Sequence, residues 1–275
     1  MPLVITLNET TSIPLEVDNL RLETVRTQSP DEVQRTSIQY GNRQVPAGEF
    51  FSVTGSAADD NEMVWEGDCA KVKLIGTKLT EGRIRVEGNA GMHLGAEMSG
   101  GEIVVNGNAA DWLGAEMHGG RITVRGNAGH LVGAVYRGGR RGMTGGEILV
   151  EGNAGNEIGH TMRRGLIAIG GQAGDAVGFG MIAGTVLVFG EAGIRPGAGM
   201  RRGTIGLLGK NDHPPLLPTF QLATVCRPVF LRIYLRYLQS HGFSIPEDGV
   251  QAEYRRFCGD CLEFGKGEIL IRSEA

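Results

Sequence analysis

The side chains in this sequence that are best suited to bind a ligand are its arginines. The 275 residues include 22 arginines and only five lysines, and a guanidinium group binds a carboxylate or a phosphate through two parallel hydrogen bonds. One short cluster and two adjacent pairs comprise Arg137, Arg140, Arg141, Arg163, Arg164, Arg201 and Arg202. We expect these residues to form a stripe that contacts a polyanion or a partner, or else a solvated edge near Glu116 and Glu157.

No other group of residues has the types and spacing of a catalytic or metal site. Cys258 and Cys261 form a single C-x-x-C pair, whereas a structural zinc site requires four ligands and a thioredoxin-like site requires a strand-to-helix context. The sequence shows no phosphate-binding, dinucleotide-binding or nucleophile motif. It therefore predicts free or buried thiols, no bound metal and no catalytic residue in this chain.

Charge and hydropathy exclude two classes of partner. With 27 basic and 31 acidic side chains the net charge is −4, so no global positive field attracts nucleic acid or an anionic membrane. No apolar run approaches the ~20 residues of a membrane span. The N-terminus lacks the basic and apolar regions of a signal peptide. These features predict a cytoplasmic protein.

The elements that would hold the arginines are predicted by an internal repeat. Glycine opens each unit at intervals of 19 residues, with one interval of 26, at Gly82, Gly101, Gly120, Gly146, Gly165, Gly184 and Gly203. The long interval indicates a seven-residue insertion, which we align as residues 139–145. A fixed period of this length is typical of a solenoid.

Within each unit, the pattern predicts one strand with a buried face. The third and fifth positions are β-branched, for example Ile122 and Val124, and residues between them vary. Position nine is always alanine, position seventeen is methionine or Tyr136, and position eight carries a ladder of asparagines. We expect the invariant glycines at positions seven and fourteen to supply left-handed backbone at corners.

The unit is too short for a strand plus a helix and lacks the frame of a leucine-rich repeat, and 19 residues do not divide into hexapeptides. The predicted fold is therefore all-β, a right-handed parallel β-helix of about seven coils. Residues 1–62 are expected to form an N-terminal cap, residues 63–210 the β-helix, and residues 211–275 a helix and tail.

The predicted C-terminal helix begins after Pro228 and ends near His241. Its expected apolar face comprises Phe230, Ile233, Tyr234 and Tyr237. The outward strand positions become apolar in the later coils, so either this helix or a partner protein must cover them.

The repeat core G-x-[IV]-x-V-x-G-N-A-G-x-x-[LIV]-G-x-x-M resembles the GXGXG β-helix domain of the glutamate synthase large subunit. Three segments more closely resemble the C subunit of formylmethanofuran dehydrogenase and of its bacterial relative, the formyltransferase/hydrolase complex. These segments are PLEVDNL (Pro14–Leu20), AGEFFSVTG (Ala47–Gly55) and GGRRGMTGGEILVEGNAG (138–155). The glutamate synthase domain lacks this N-terminal cap, so the sequence is identified as a member of the C-subunit family.

The resemblance implies a complex that moves a formyl group between tetrahydromethanopterin-type and methanofuran-type carriers and releases formate. Catalysis would belong to a hydrolase-like A subunit and a formyltransferase, accompanied by a B subunit, and this chain would be a scaffold. Because methanofuran-type carriers resemble a furan with a γ-linked glutamyl chain, the resemblance implies that the arginine stripe holds that tail.

Three alternatives to the bacterial complex remain open. An archaeal molybdenum or tungsten enzyme uses the same type of subunit, but the absence of iron-sulfur cysteines favours the bacterial complex. A glutamate synthase-like interaction module is the second alternative. A carbohydrate-active β-helix enzyme would require clustered acidic and aromatic residues, and the sequence shows no such cluster.

Overall fold

One short strand in each repeat builds a continuous wall. The computed structural model describes residues 1–210 and 215–273, so the start of the predicted tail, residues 211–214, lies outside the described residues. The strands are β1 (Leu3–Leu7), β2 (Leu15–Glu16), β3 (Ser37–Tyr40), β4 (Arg43–Pro46), β5 (Phe51–Thr54), β6 (Glu62–Glu66), β7 (Val72–Lys73), β8 (Arg83–Val86), β9 (Glu102–Val105), β10 (Arg121–Val124), β11 (Glu147–Val150), β12 (Leu166–Ile169), β13 (Thr185–Val188), β14 (Arg202–Leu207), β15 (Gln221–Cys226), β16 (Tyr254–Gly259) and β17 (Lys266–Arg272).

Within the described residues, the wall is a 13-stranded sheet. It is parallel from β1 through β6 and β8–β14 to β17, and equivalent repeat positions pair, so that Ile122 lies between Ile103 and Ile148. Antiparallel strands extend both ends of the sheet, β5 at one end and β16 and β15 at the other. The predicted all-β parallel β-helix is confirmed.

The interior of the solenoid is filled by the predicted inward positions. The isoleucines and valines at positions three and five are buried, as are the alanines at position nine. Successive alanines form single parallel bridges, such as that between Ala109 and Ala128, which define a second side of the coil. Cys69 takes the place of alanine in the imperfect first coil, where it bridges to Ala90.

Met143 rather than Tyr136 fills the seventeenth position of the third full coil, which corrects our alignment of that unit. Met143 is fully buried and its N–H donates to the Gly133 carbonyl at 2.8 Å, whereas Tyr136 is half-buried. The methionine of the next coil makes the equivalent bond at 3.0 Å. The insertion therefore comprises residues 136–142 and not residues 139–145.

Glycine is required at positions seven and fourteen for different physical reasons. At position fourteen, Gly133 has φ +66°, the left-handed backbone that was predicted. At position seven, Gly126 does not have a positive φ; a Cβ there would lie 2.5 Å from Asn108 Oδ1 and 2.7 Å from the Gly107 carbonyl. The expectation of left-handed backbone at position seven is wrong, because it is the close stacking of coils that excludes a side chain there.

Two side-chain ladders tie the coils together. In the predicted asparagine ladder, Oδ1 of Asn108 accepts the N–H of Asn127 at 2.8 Å, and the equivalent bond repeats from Asn89 to Gln172. A second ladder at position eleven was not predicted, and in it Asp111 accepts the His130 N–H at 2.7 Å.

The chain termini lengthen the wall. Strand β1 pairs with β6, and β17 pairs with β14. Beside the first coils, a second, four-stranded sheet has the order β4-β3-β2-β7. Two helices, α1 (Leu22–Val25) and α2 (Pro30–Arg35), and a 3-10 turn (Ala47–Glu49) complete this part, and Ser29 and Glu32 form a capping box on α2.

The C-terminal helix α3 (Val229–Ser240) begins after Pro228 as predicted, and a 3-10 turn (Glu247–Val250) follows it. Its predicted apolar face is only partly correct. The predicted Tyr234 and Tyr237 are partly buried against the wall, but Phe230 and Ile233 are exposed, Ile233 by 65%. The fully buried residues are Leu231, Leu235 and Leu238. The three leucines share a cluster with Leu149, Leu166, Leu187 and other outward residues of the wall. The helix thus covers the apolar outer face of the later coils.

Candidate functional site

Four of the seven predicted arginines lie around one cavity. Arg163 and Arg164 belong to the fourth full coil and Arg201 and Arg202 to the sixth, at positions eighteen and nineteen of the unit. The fifth coil carries Ile182 and Ala183 there, so two guanidinium pairs flank a gap. Successive coils are about 4.8 Å apart, so the backbones of the two arginine pairs, which are two coils apart, are separated by about 10 Å. The cavity has a volume of about 610 Å³.

The cavity combines positive charge with aromatic surface. Its lining includes Tyr234 of α3 and Phe264, which is 62% exposed. Arg201 Nε lies 3.2 Å from Glu263 Oε2. Among the described residues, the other three arginines have no ion pair within 4 Å. The site therefore retains a local excess of positive charge although the chain is acidic overall, which suits an anion with several carboxylate or phosphate groups.

The other three predicted arginines lie on the inserted loop 136–142 and are exposed. They are not among the residues that line the cavity. The loop leaves the coil after Val135 and returns at Met143, where other coils make the corner directly. The structure thus divides the predicted stripe into a cavity group and a loop group.

Three aromatic rings hold the base of this loop. Tyr136 stacks on Trp112 with 5.0 Å between ring centroids and an interplanar angle of 27°. Its hydroxyl lies 3.0 Å from Nδ1 of His93, and the Tyr136 N–H donates to Glu116 Oε1 at 3.0 Å. The sequence pattern did not predict this cluster, because it places Tyr136 in the core.

Partial burial shifts the protonation of this cluster. Burial, followed by the nearby Glu97 and Glu116 carboxylates, raises the pKa of Tyr136 to about 12. Burial, followed by the charge of Lys73, lowers the pKa of His93. Both shifts favour neutral rings at neutral pH, so the His93–Tyr136 contact is a hydrogen bond between uncharged groups.

The carboxylates expected to neutralise the stripe have other contacts. Glu116 accepts the Tyr136 N–H, and Glu157 Oε2 lies 2.9 Å from His160 Nδ1. Neither forms an ion pair with any of the seven arginines in the part of the chain that the structure describes.

The cysteines do not form a cluster. Cys69 is buried, which raises its pKa to about 12 and disfavours the reactive thiolate. Cys258 and Cys226 are partly exposed and Cys261 is exposed, all as free thiols. Among the side chains that the structure describes, no three from His, Cys, Asp or Glu stand close enough to hold a metal ion. No helix of the described residues has the length and apolarity needed to cross a bilayer.

Comparison with known proteins decides the family. The model of the family described as "GXGXG motif" matches residues 69–216. The chain belongs to the GXGXG family. The match includes the fourth and sixth coils and the inserted loop, so both arginine groups lie within the family domain.

Among curated proteins, this GXGXG chain is similar to C subunits of formylmethanofuran dehydrogenase. It is 43% identical over 97 residues to the C subunit of the tungsten-containing enzyme 2 of Methanothermobacter marburgensis, covering 34% of this chain and 36% of that protein. It is 38% identical over 85 residues to the C subunit of the molybdenum-containing enzyme 1 of Methanosarcina barkeri, covering 30% and 28%. The aligned part therefore spans about a third of the length of these relatives.

A solved structure matches nearly the whole chain. It is a chain of the formyltransferase/hydrolase complex of Methylorubrum extorquens, crystallised with methylofuran. The TM-score is 0.89 at 32% identity, covering 98% of this chain and 100% of that chain. The caps at both ends, and not only the repeat, are thus shared with that protein.

Proposed function

We propose that this chain is a non-catalytic scaffold subunit of a formyltransferase/hydrolase complex. In such a complex a formyl group passes between a tetrahydromethanopterin-type and a methanofuran-type carrier, and formate is released. The observation that carries this proposal is the match over the whole length of a chain from such a complex. The expected partners are a hydrolase-like A subunit, a B subunit and a formyltransferase subunit.

The second part of the proposal concerns the carrier. The family resemblance implies a polyglutamyl tail, and the cavity that spans the fourth to sixth coils offers four arginines to its carboxylates. The backbones of the two arginine pairs lie two coils, about 10 Å, apart, so the pairs can make separate contacts along an extended anionic chain.

The test is substitution of the three cavity arginines that have no ion pair among the described residues. A complex with Arg163→Ala, Arg164→Ala and Arg202→Ala should assemble normally and retain less methylofuran, with affinity roughly tenfold or more weaker. Affinity for the unsubstituted complex should also fall as salt rises, because salt screens these charges. Retained carrier is measured by mass spectrometry and affinity by titration.

Arg43→Ala is the matched control, since Arg43 is exposed and lies on β4 of the second sheet. It should change neither carrier retention nor its salt dependence. Unchanged retention in the triple cavity variant would refute the role of the cavity in carrier binding. Loss of the complex itself would instead assign these arginines to an interface with another protein of the complex.

A further inference from the structure

We propose that the inserted loop 136–142 is a preformed docking arm that binds an acidic surface of a partner protein. The inference rests on the proposed function only in that the chain works inside a complex. It concerns the loop arginines, which lie outside the carrier cavity.

The loop is a local addition to an otherwise regular solenoid. Between the left-handed Gly133 and the buried Met143, the third full coil contains seven extra residues, three of which are arginines. The coil closes behind them: Met143 occupies the usual methionine position and its N–H bonds to Gly133. Because the core needs no side chain from the insertion, the three exposed arginines are free to serve another role.

The base of the loop is fixed at both ends. At its start, Tyr136 stacks on Trp112, contacts His93 and donates its N–H to Glu116. Within the loop, the Gly139 N–H donates to the Tyr136 carbonyl at 2.9 Å. At its end, the Gly142 N–H donates to the Thr161 carbonyl at 3.1 Å. These contacts restrict the loop before any partner binds.

The tip of the loop is open. Arg137, Arg140 and Arg141 are exposed, and none of them has an ion pair among the described residues. No atom lies within 4 Å of the place that a Cβ on Gly138 would occupy. Three unneutralised guanidinium groups therefore project from a restrained base.

This arrangement suits a protein surface better than a small anion. A small ligand is usually enclosed by a concave site, and the cavity between the coils provides that geometry. An exposed loop instead presents its charges to a surface that approaches from outside. Arginine is enriched at protein interfaces, where it pairs with carboxylates, and a restrained loop loses little entropy on docking. Charge complementarity thus specifies an acidic patch on the partner.

Tyr136 is the positioning residue of the docking arm. It acts by holding the start of the loop through its contacts with Trp112, His93 and Glu116. Tyr136→Ala should release the loop while leaving all three arginines in place. Tyr136→Phe keeps the ring that stacks on Trp112 and loses only the hydroxyl contact to His93, so it should largely restore the behaviour of the unsubstituted chain.

The experiment compares complexes co-expressed from the A, B and formyltransferase subunits with this chain. With Arg137→Ala, Arg140→Ala and Arg141→Ala, the chain should dissociate at lower salt, with roughly tenfold weaker association, whereas methylofuran retained per assembled complex should not change. Tyr136→Ala should weaken association in the same direction, and Tyr136→Phe should change it little. Trypsin should cleave the isolated Tyr136→Ala chain after these arginines faster than the Tyr136→Phe chain.

Two further readouts separate this inference from the proposed carrier site. Phenylglyoxal should modify the loop arginines in the isolated chain and spare them in the complex, while Arg43 reacts in both. Normal association of the triple loop variant overturns the inference, as does loss of carrier from a complex that still assembles. If only the cavity variant loses methylofuran and the loop variant is normal, the proposed function stands and the docking arm does not.

Discussion

At the scale of single residues, the close stacking of the coils limits the size of the side chains at positions seven and nine of the repeat. Ala128 is 8% exposed and bridges to Ala109 of the preceding coil. Gly126 meets the preceding coil so closely that a single added carbon would collide with its backbone. A regular solenoid therefore repeats its smallest residues as strictly as its apolar ones.

Ala128→Leu should destabilise the protein by about 1–3 kcal/mol, because a larger side chain overfills a packed corner. The free energy of unfolding, measured by denaturant titration, reports the effect. Ala223→Leu is the control, since Ala223 is exposed on β15 and the change should be nearly neutral. Equal stability of Ala128→Leu and the unsubstituted chain would mean that position nine does not face the core.

Residue spacing predicted most of the repeat, but it could not decide between Tyr136 and Met143 for one core position. Tyr136 takes position seventeen if the insertion follows it, and Met143 takes that position if the insertion precedes it. A large aromatic side chain satisfies the hydrophobic pattern as well as methionine does. The triplet Met-Thr-Gly at residues 143–145 matches Met-Ser-Gly and Met-His-Gly of the preceding coils. That match was the available evidence for placing the insertion earlier.

At the scale of elements, α3 shows why the predicted face of a helix can be partly wrong when its limits are right. Its limits follow from Pro228 and Gly242, whose effects are local. Its orientation depends on the outer wall, where Tyr237 Oη donates to Glu147 Oε1 at 2.6 Å and accepts from Arg121 at 2.9 Å. Aromatic residues therefore flank the contact, and leucines form it.

Leu235→Ala should destabilise the protein by about 2–5 kcal/mol, because it leaves a cavity between α3 and the wall. Ile233→Ala, on the exposed face, should change stability by less than about 0.5 kcal/mol. Thermal or denaturant unfolding of both variants checks the assignment. A larger loss for Ile233→Ala than for Leu235→Ala would restore the face that the sequence predicted.

A carboxylate caps a backbone N–H group at the corner of the sixth full coil. In earlier coils the position-sixteen N–H donates to a carbonyl of the next coil, as Gly180 donates to Ala198. In the sixth full coil the Gly199 N–H donates instead to Asp260 Oδ2 at 3.0 Å. Burial alone would raise the pKa of Asp260, but the N–H groups of Leu262 and Gly199 reverse this effect and lower it.

This cap predicts a pH dependence. A lowered folded-state pKa means that Asp260 contributes stability above its ordinary pKa of about 3.9, and that this contribution is lost as pH falls through the lower folded-state value. The stability difference between the unsubstituted chain and Asp260→Asn should therefore be largest at neutral pH and should shrink in acid. Unfolding curves between pH 7 and pH 3 measure it, and a difference that grows on acidification would contradict the assignment.

At the scale of the whole molecule, the seven arginines belong to two basic features with different geometry. The cavity group lines a concave site that spans the fourth to sixth coils and borders α3, whereas the loop group is exposed and projects from the third full coil. Sequence spacing placed all seven arginines on one stripe, because it contains no information on how far an inserted loop departs from the coil. The division into a cavity group and a loop group follows from the three-dimensional arrangement.

The most direct test of the central claim, that this chain is a scaffold subunit of a formyl-transfer complex, is native mass spectrometry. The A, B and formyltransferase subunits are co-expressed with and without this chain, and each sample is weighed intact. We predict a single particle that contains this chain together with the three other subunits and methylofuran, and incomplete particles when the chain is omitted. A complete particle of the other three subunits with its methylofuran, beside this chain as a free species, would contradict the account.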